Sequence, residues 1–308
     1  MTSSIILSMY NGEKYILEQL DSLYKQTRKI DEVLIIDDCS SDNSVNICKK
    51  YILDKNLSTW NIIVNDKNRG YAFNFITYGA QAKSDIVYFC DQDDIWLENK
   101  IEFINNVFEQ NKNALLVCSD LETFMSGNNK ENLSKQYLKT MINDESIEQI
   151  KPSIANFICR RSGCTMAIKK DFLSIISNRW IESWPHDDMV WKCALLNNGL
   201  VLYHKVLIKR RLHSDNTSIN KCYTLEKRIK QVKTVIAEYE SLKNYDYYCN
   251  ESKAIIDYHL KFTKKRLEFL TGKNFFKWFK LLKYKNVYQT KKGVFLDLYL
   301  KMFKKWNR

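Results

Sequence analysis

Short apolar segments alternate with stretches of helical periodicity over the first 120 residues of the chain. Five apolar runs have the length and the β-branched or aromatic content of strands that are buried on both faces: Ser4–Met9, Val33–Ile36, Trp60–Val64, Ile86–Cys90 and Leu115–Cys118. Between the first two runs, Ile16, Leu20 and Leu23 recur on one helical face. Strands and helices that alternate at this spacing predict βαβ units and an α/β fold with a doubly wound open sheet.

The pattern changes after residue 120. Residues 128–150 are polar and lack periodicity, which predicts a flexible loop or a loop on the acceptor side of a binding site. Residues 156–169 are again apolar, and after Tyr223 the chain is helical in pattern and basic. We therefore predict one domain over residues 1–220 and a basic amphipathic helical region over residues 221–308.

The composition is that of a globular protein. Of the 308 residues, 45% are hydrophobic and 27% are charged, which excludes a disordered or collagen-like chain. No apolar run approaches the ~18 residues that would span a bilayer, and the first ten residues lack the basic start of a signal peptide. The nine cysteines are scattered and never spaced as Cys-x-x-Cys, which predicts free thiols and a cytoplasmic protein.

Positive charge is concentrated at the end of the chain. The net charge is +12, yet residues 221–308 contain 22 Lys and Arg against 8 Asp and Glu, while residues 1–220 contain 26 against 28. A nearly neutral body with a strongly basic end predicts an anionic partner, either a membrane surface or a nucleic acid.

Polar residues follow each of the first four predicted strands. They lie at positions 8–12, 37–42, 65–70 and 91–94. In open α/β sheets, ligands bind beyond the carboxyl ends of the strands. Each segment alone is an ordinary turn, but four that converge on one edge of the sheet predict a binding site.

The segment 91–94 is the most acidic of the four. Asp91, Asp93 and Asp94 follow a buried run directly and would repel one another without a partner. A divalent cation relieves this repulsion, and Mg²⁺ and Mn²⁺ favour carboxylates together with substrate phosphates. The sequence has neither a P-loop nor a Gly-x-Gly-x-x-Gly motif, which argues against a P-loop kinase and a dinucleotide dehydrogenase.

Together, these motifs resemble glycosyltransferase family 2, and the resemblance is closest to its bacterial rhamnosyltransferase-like branch. It covers residues 3–218 and rests on seven segments: Ser8-Met9-Tyr10-Asn11-Gly12, Asp37-Asp38-Cys39-Ser40-Ser41-Asp42, Asn68-Arg69-Gly70, Asp91-Gln92-Asp93-Asp94-Ile95-Trp96, Ser162 to Ala167, His186-Asp187, and Arg211 to Asn216. The resemblance implies a GT-A fold with a doubly wound mixed sheet. It also implies inverting transfer from a UDP- or dTDP-linked sugar with Mn²⁺ or Mg²⁺ as cofactor.

The resemblance also implies a role for each matching residue. Nucleotide binding falls to Ser8, Tyr10, Asn11, Asp37, Asp38, Asn68, Arg69 and Asp91. The metal would be held by Asp91, Asp93 and His213, and Asp187 matches the family's general base. Binding of the donor sugar or the acceptor falls to Asp94, Trp96, Gly163, Cys164, Trp184, His186 and Arg211.

Several of these assignments have alternatives. Asp188 follows Asp187 where the branch has aromatic residues, so either carboxylate is a candidate base, and rhamnose is not fixed as the donor sugar. Both carboxylates also suit the first turn of a helix after Pro185. Trp96 and Trp184 flank the acidic segments and would either stack on a sugar or pack in the core. His213 would either bind the metal or be a surface or core histidine that binds no ligand.

The basic end of the chain has two interpretations. Lysines recur at helical spacing beside phenylalanines, in Lys273, Lys277 and Lys280 with Phe276 and Phe279. Basic amphipathic helices of this kind bind anionic membrane surfaces, and the alternative is a helical extension that packs on the first domain. No nucleic-acid recognition motif is present, so we expect no nucleic-acid partner.

The resemblance and the basic end together predict an enzyme of surface polysaccharide biosynthesis. It would use a lipid-linked saccharide acceptor and lie at the inner face of the cell membrane. Two alternatives stay open: a non-catalytic membrane- or polyanion-binding protein with this fold, and a nucleotidyl or polyol-phosphate transferase. The sequence does not fix the oligomeric state.

Overall fold

The computed structural model describes residues 1–125, 140–182, 184–213, 223–244, 248–288, 290 and 292–306. Within these ranges a nine-stranded sheet is formed by β1 Ser3–Met9, β2 Glu32–Asp37, β3 Trp60–Val64, β4 Ile86–Asp91, β5 Ile95–Trp96, β6 Leu116–Met125, β7 Ile147–Ile150, β8 Met166–Lys169 and β9 Leu200–Leu212. Two short strands, β10 Tyr223–Thr224 and β11 Lys305–Trp306, pair with each other.

Helices cover both faces of the sheet and form the end of the chain. They are α1 Ile16–Tyr24, α2 Ser44–Asp54, α3 Tyr71–Ala80, α4 Lys100–Gln110, α5 Lys170–Ser177, α6 His186–Leu196, α7 Leu225–Lys243, α8 Asn250–Thr271, α9 Lys277–Leu281 and α10 Gly293–Phe303. Single 3-10 turns occupy Gly163–Thr165 and Leu282–Tyr284.

The strand order creates a crevice at one edge of the sheet. The order is β3-β2-β1-β4-β8-β6-β9-β5, with β7 paired to β9. Strand β1 pairs in parallel with β2 on one side and β4 on the other, so the chain reverses its direction of winding at β1. The register sets Met9 beside Asp37 and Ser8 beside Asp91. A ligand crevice is expected outside the strand ends at such a switch point.

The sheet confirms the predicted mixed α/β fold. The predicted strands correspond to β1–β4 and β6, and residues 86–90 of β4 are fully buried between two helical layers, as an uninterrupted apolar run requires. Two boundaries were wrong. Strand β6 continues to Met125, and β7 ends the region that was predicted to be a loop, because it completes the sheet along β9. Residues 128–139 of that region lie outside the described residues.

The C-terminal helices pack on the α/β domain. Leu242, Ile255 and Ile256 belong to the same apolar cluster as Trp184 and Trp191, so α7 and α8 extend the core of the sheet. This supports the packing interpretation for these two helices. Beyond them, a separate apolar cluster joins α7 to α10. None of the helices in the described ranges is both long and apolar enough to cross a membrane.

Candidate active site

Two strand-end turns are tied to each other across β1. The backbone N–H of Tyr10 donates to Gln92 Oε1 at 2.7 Å, and Gln92 Nε2 donates back to the Tyr10 carbonyl at 3.0 Å. A Cβ at Gly12 would lie 2.5 Å from Gln92 Oε1, so this close approach requires glycine. On the other side of β1, Asn11 Oδ1 accepts from the Ser41 N–H at 2.8 Å. The edge of the sheet at β1, β2 and β4 is therefore one rigid unit.

The adjacent carboxylates Asp37 and Asp38 have different surroundings. Asp38 accepts the N–H groups of Arg69 and Gly70 at 2.8 and 2.7 Å and also the Asn65 amide, so both of its oxygens fix the turn after β3. Asp37 is 1% exposed, and one of its oxygens accepts from Ser40. Its Oδ1 is buried and has no hydrogen-bond partner among the described residues. Such an oxygen is expected to bind a ligand donor.

The other residues predicted to bind the nucleotide lie around the same turns. Ser8 Oγ accepts from Asn74 Nδ2 at 3.0 Å. Tyr10 and Asn68 are exposed. Arg69 pairs with Asp66 at 3.2 Å and lies over the Phe73 ring. All of them lie at the edge formed by β1, β2 and the turn after β3.

The turn 91–94 is held from the far side of the sheet by β9. Arg211 donates from its backbone N–H to Asp94 Oδ1 and from Nε to the Asp93 carbonyl, at 3.1 and 2.9 Å. Its guanidinium is 2.6 Å from Glu18. It lies between the rings of Tyr15 and Phe124. These contacts favour a role for Arg211 as a support of the acidic turn over its predicted role in binding donor or acceptor.

His213 meets the acidic turn directly. Its Nε2 lies 2.8 Å from Asp93 Oδ2, and its ring is 4.9 Å from that of Tyr15. The predicted partnership of these two segments, 120 residues apart in sequence, is therefore present in the geometry.

Burial, and after it mutual repulsion, sets the electrostatics of the turn. Burial and then the charge of Asp93 raise the pKa of Asp91, the charge of Asp187 adds to this shift, and Arg210 opposes it. Burial and the charges of Asp93 and Asp91 raise the pKa of Asp94 well above its usual range. Negative charge is therefore concentrated beyond what the surrounding side chains neutralise.

The same groups could hold a divalent cation. Ligand atoms of Asp91, Asp94 and Cys164 lie within 4.8 Å of one another, and Asp94 Oδ2 is buried without a hydrogen-bond partner among the described residues. Carboxylate oxygens and an imidazole suit Mn²⁺ or Mg²⁺. Burial raises the pKa of the Cys164 thiol well above its usual value, so this group is neutral and a poor ligand for a hard cation.

Asp187 lies at the start of α6 and faces the acidic turn. Burial and then the neighbouring Asp188 raise its pKa to about 6. After burial, the charges of Asp187 and Asp91 are the two causes that raise the pKa of Tyr71, so the three groups lie close enough to interact electrostatically. Asp187 Oδ1 accepts the Asp188 N–H at 2.8 Å.

Asp188 points into the protein instead. Its carboxylate forms an ion pair with the buried Lys192 one turn along α6 and accepts from Trp184 Nε1 at 3.0 Å. Burial alone would lower the pKa of Lys192, but the Asp188 carboxylate outweighs it and raises that pKa. The two adjacent carboxylates therefore have different environments.

His186 and Gly163 are packed against each other beside Asp187. A Cβ at Gly163 would lie 2.0 Å from His186 Nε2, so only glycine fits there. The imidazole lies 4.4 Å from the Phe75 ring and 5.1 Å from the Phe89 ring, and burial lowers its pKa to about 3. His186 is thus a neutral residue that joins the turn 163–165 to the start of α6.

The two predicted tryptophans lie in the core. Trp96 is 2% exposed and Trp184 is fully buried. Lys100 Nζ covers the Trp96 ring at 3.3 Å, and the Trp184 N–H is used by Asp188. Their burial contradicts sugar stacking and favours the packing alternative.

Four residues near the site were not predicted from the sequence. They are Tyr71, Gln92, Lys100 and Arg210. Lys100 is buried and donates to the Cys164 carbonyl at 2.8 Å, and Arg210 donates to Ser162 at 2.9 Å. The sequence signal was a lysine six residues after the acidic turn. The structure shows that Lys100 is buried, and a buried ammonium needs nearby negative charge.

Comparison with known proteins agrees with this geometry. A sequence model described as "Glycosyl transferase family 2" matches residues 4–173. The dTDP-rhamnosyl transferase RfbG of Shigella flexneri is 31% identical over 171 residues, which are 54% of this chain and 55% of RfbG. TarS of Staphylococcus aureus, a poly(ribitol-phosphate) beta-N-acetylglucosaminyltransferase, is 38% identical over 96 residues, which are 30% of this chain and 16% of TarS.

Solved structures share the fold over nearly the whole chain. Residues 1–349 of S. aureus TarS in complex with UDP-GlcNAc superpose with a TM-score of 0.64 at 19% identity, covering 96% of this chain and 84% of that one. The mannosyltransferase PcManGT of Pyrobaculum calidifontis, in complex with GDP-Man and Mn²⁺, gives 0.59 at 14% identity, covering 97% and 84%. By contrast, the chain spans from 16% to 67% of the length of eight curated relatives that it matches.

Proposed function

Because the chain belongs to glycosyltransferase family 2, we propose that it transfers a sugar from a nucleotide-diphosphate donor to a saccharide hydroxyl with inversion at the anomeric carbon. The observation that carries this proposal is the proximity of the 91–94 turn to Asp187 and to His213 at the switch point of the sheet. An acidic turn that would bind the diphosphate through a metal ion, and a separate carboxylate that would accept the proton of the acceptor hydroxyl, suit a single displacement.

The donor nucleotide would bind at the edge formed by β1, β2 and the turn after β3. The buried, unpartnered Asp37 Oδ1 offers an acceptor to a base or ribose donor, and Ser8 and Tyr10 border the same edge. Asp38 and Arg69 shape this edge through the turn after β3. UDP-, GDP- and dTDP-linked donors appear in the names of the related proteins, and we propose a UDP- or dTDP-linked donor here.

The diphosphate would lie over the acidic turn together with Mn²⁺ or Mg²⁺, held by Asp91, Asp93 and His213. When bound, the cation supplies Lewis-acid stabilisation of the charge on the departing diphosphate. The chain contributes the placement of these ligands. Arg211 fixes the turn through the Asp93 carbonyl and Asp94, and the fit is supported by the unpartnered Asp94 Oδ2.

Asp187 would act as the general base. It accepts the proton of the acceptor hydroxyl while the oxygen forms its bond to the anomeric carbon. The bond from that carbon to the diphosphate oxygen breaks, and its electron pair leaves with the nucleoside diphosphate. A carboxylate with a pKa of about 6 suits this task near neutral pH, because it is ionised and yet basic enough to accept a proton. Asp188 is engaged by Lys192 and would not compete.

The acceptor would be a saccharide of a cell-surface polymer carried on a lipid, at the inner face of the membrane. The name of TarS supports a polymer acceptor, and the basic C-terminal region supports work at an anionic membrane surface.

Titration calorimetry with UDP-, dTDP- and GDP-sugars in the presence of Mn²⁺ tests this function. We expect micromolar to millimolar binding of one donor class, followed by release of the nucleoside diphosphate when acceptor is added. Asp93→Ala should abolish the Mn²⁺-dependent part of binding, while Asp54→Ala, at an exposed surface pair with Lys50, should leave it unchanged. No binding of any nucleotide sugar by the folded protein would favour the non-catalytic alternative. Consumption of a nucleotide-activated polyol would favour the polyol-phosphate transferase.

A further inference from the structure

The C-terminal helices expose a surface of large apolar side chains. We call it the aromatic face and define it by five residues: Phe276, Phe279, Phe295, Met302 and Phe303, which are between 56% and 79% exposed. Every exposed phenylalanine of the described structure lies between residues 275 and 303. Single exposed apolar residues are ordinary in soluble proteins, whereas a group of this kind marks an interaction site.

The aromatic face is continuous across two helices. The rings of Phe276 and Phe279 stack at 6.4 Å, and Trp278 lies 5.3 Å from Phe279 and 5.7 Å from Phe295. Along α10, residues 295, 299 and 303 follow one another at four-residue intervals, which places them on one side of the helix. Phe276 and Phe279, at α9, and the outer side of α10 therefore form one surface.

This surface is not left over from the core, because the same helices have a separate inner side. Leu281 and Val294 are buried in the apolar cluster that α9 and α10 share with Phe269 of α8. Asp297 of α10 is fully buried and pairs with Arg228 and Arg266. The inner packing of both helices is complete without the aromatic face.

Only positive charge surrounds the aromatic face on its own segment. Residues 272–308 contain eleven Lys and Arg and a single acid, the buried Asp297. The lysines that are exposed in the described part of this segment are Lys273, Lys280, Lys283, Lys285, Lys292 and Lys304. The surface therefore combines apolar rings with positive charge that no acid of the segment offsets.

We propose that the aromatic face docks on an anionic lipid bilayer, with its rings at the boundary of headgroups and acyl chains and the lysines on the headgroup phosphates. A bilayer satisfies both features, because interfacial segments bind through buried apolar area and attraction to anionic lipid. A second copy of this chain would bring two strongly basic surfaces together, which is unfavourable. A nucleic-acid duplex would contact the lysines but leave the apolar rings without a partner, because its bases already stack on one another, and the chain has no recognition motif for a single strand. Docking itself is argued from the surface alone. Only its biological role, access to a lipid-linked acceptor, rests on the proposed function.

Vesicle flotation of the full chain tests this proposal. Vesicles of phosphatidylcholine alone are compared with vesicles that contain about 30% phosphatidylglycerol, at low salt and at 0.5 M salt. We expect binding to the anionic vesicles that weakens at high salt. The double variant Phe276→Glu/Phe279→Glu should lower the partition coefficient at least about tenfold, since it replaces two inserted rings by charges that the bilayer repels.

A matched variant and a second measurement separate the outcomes. Leu53→Glu makes the same type of change at a residue of α2 that is 75% exposed, and it should bind vesicles as the wild type does. Nucleotide-sugar calorimetry on the double variant should match the wild type, so failure of docking and failure of the proposed function give different results. Equal vesicle binding by wild type and double variant would overturn the proposal. So would light scattering that shows a wild-type dimer dissociated by the double variant, since a second copy would then cover the face.

Discussion

At the residue scale, the assignment of the base depends on the groups that surround Asp187 and Asp188. Asp188 is matched by the buried ammonium of Lys192 and by the Trp184 N–H, so its charge is neutralised inside the protein. Asp187 forms no ion pair among the described residues. Lys192 opposes only part of the rise that burial and Asp188 give to the pKa of Asp187, and the charge of Asp187 in turn raises the pKa values of Asp91 and Tyr71. A buried carboxylate without an ion-pair partner is poised to accept a proton, whereas one in an ion pair is not.

Substitution of each carboxylate by asparagine should therefore give different losses. Asp187→Asn should lower kcat by about 10²–10⁴-fold with donor affinity unchanged, because proton removal from the acceptor is lost. Asp188→Asn should leave Lys192 buried and unpaired and cost about 3–5 kcal/mol of folding stability. Steady-state kinetics with calorimetry measures the first, and urea unfolding measures the second. Full activity of Asp187→Asn would remove Asp187 from the mechanism.

The raised pKa of Asp187 also sets the pH dependence of the reaction. Because the base works only when ionised, log(kcat/KM) should fall with a slope of one as pH decreases through about 6 and stay level just above it. An ordinary aspartate would keep its activity to about pH 4. The pH profile of kcat/KM at saturating Mn²⁺ measures this. A profile that stays level down to pH 4.5 would contradict the assignment.

The sequence could locate the site but not the state of its side chains. The turns at strand ends identify Asp37, Asp91 and Asp93 because the order of strands alone brings them to one edge. The two tryptophans were ambiguous, because an aromatic residue beside an acidic turn has the same pattern whether its ring faces inward or outward. The role of Arg211 depends on Glu18, which lies 193 residues away in sequence and meets it only in the folded chain. Asp188 and Lys192 have the i, i+4 spacing of a helix, but the burial of Lys192 is not visible in the sequence.

At the element scale, sequence patterns predicted the local units and missed the distant pairings. The parallel strands β1–β4 are continuous apolar runs and could be recognised individually. Strand β7, with the sequence IEQI, is short and polar and exists because it pairs with β9 more than 50 residues later. Antiparallel additions of this kind are decided by tertiary pairing and leave a weak local signal.

The contact between the turn 163–165 and α6 gives a prediction about this pair of elements. Gly163→Ala should displace His186 and with it the start of α6, lowering kcat and costing on the order of 1–3 kcal/mol of stability through overpacking. His186→Ala alone should also cost stability, because it leaves a cavity beside Phe75 and Phe89. The further cost of Gly163→Ala should be much smaller in the His186→Ala background than in the wild type, since the smaller side chain removes the clash. Urea unfolding of the four proteins checks this, and a Gly163→Ala variant as stable as the wild type would refute the tight contact.

The C-terminal helices depend on one buried carboxylate. Asp297 of α10 accepts from Arg228 of α7 and from Arg266 of α8, at 2.8 and 2.9 Å, and from the Tyr288 hydroxyl at 3.0 Å. Burial alone would raise the pKa of Asp297, but the charge of Arg266 and then that of Arg228 outweigh it and lower the pKa. The two ion pairs of Asp297 therefore stabilise the fold at pH values above the unfolded-state aspartate pKa of about 3.9. Their contribution is lost as the pH falls below that value.

Asp297→Asn should consequently destabilise the helical region by about 3–5 kcal/mol at pH 7, because two largely buried guanidinium groups lose their counter-ion. The difference from wild type should shrink as pH falls through the acid range. Glu240→Gln, which removes a half-exposed partner of Lys264, should cost about 1 kcal/mol or less. Urea unfolding at pH 7 and at about pH 2.5, which lies below the unfolded pKa of about 3.9, measures both. Equal effects of the two variants would contradict the role of Asp297.

At the scale of the whole molecule, charge of opposite sign is concentrated in two regions: positive charge in the C-terminal region and negative charge at the site of the α/β domain. The basic C-terminal region keeps its lysines on the surface, where water and anionic partners neutralise them. The site of the α/β domain concentrates Asp91, Asp93, Asp94 and Asp187, and burial together with repulsion raises the pKa values of Asp91, Asp94 and Asp187. The protein without its ligands therefore holds electrostatic strain at the site, and relief of that strain should be measurable as stability of the entire fold.

Divalent cations should accordingly raise the melting temperature of the chain. At a Mn²⁺ concentration of about 100 times Kd the gain is about 2.7 kcal/mol, and each kcal/mol corresponds to about 2–4 °C for a chain of this size. Asp91→Asn should melt higher than wild type in EDTA, because one like charge is removed, and should gain less from Mn²⁺, because one ligand is removed. Asp54→Asn, at an exposed pair with Lys50, should behave as wild type. Differential scanning fluorimetry with and without nucleoside diphosphate measures all three. If Mn²⁺ does not change the melting temperature of the wild type, either with or without nucleoside diphosphate, a metal does not relieve the repulsion among these carboxylates.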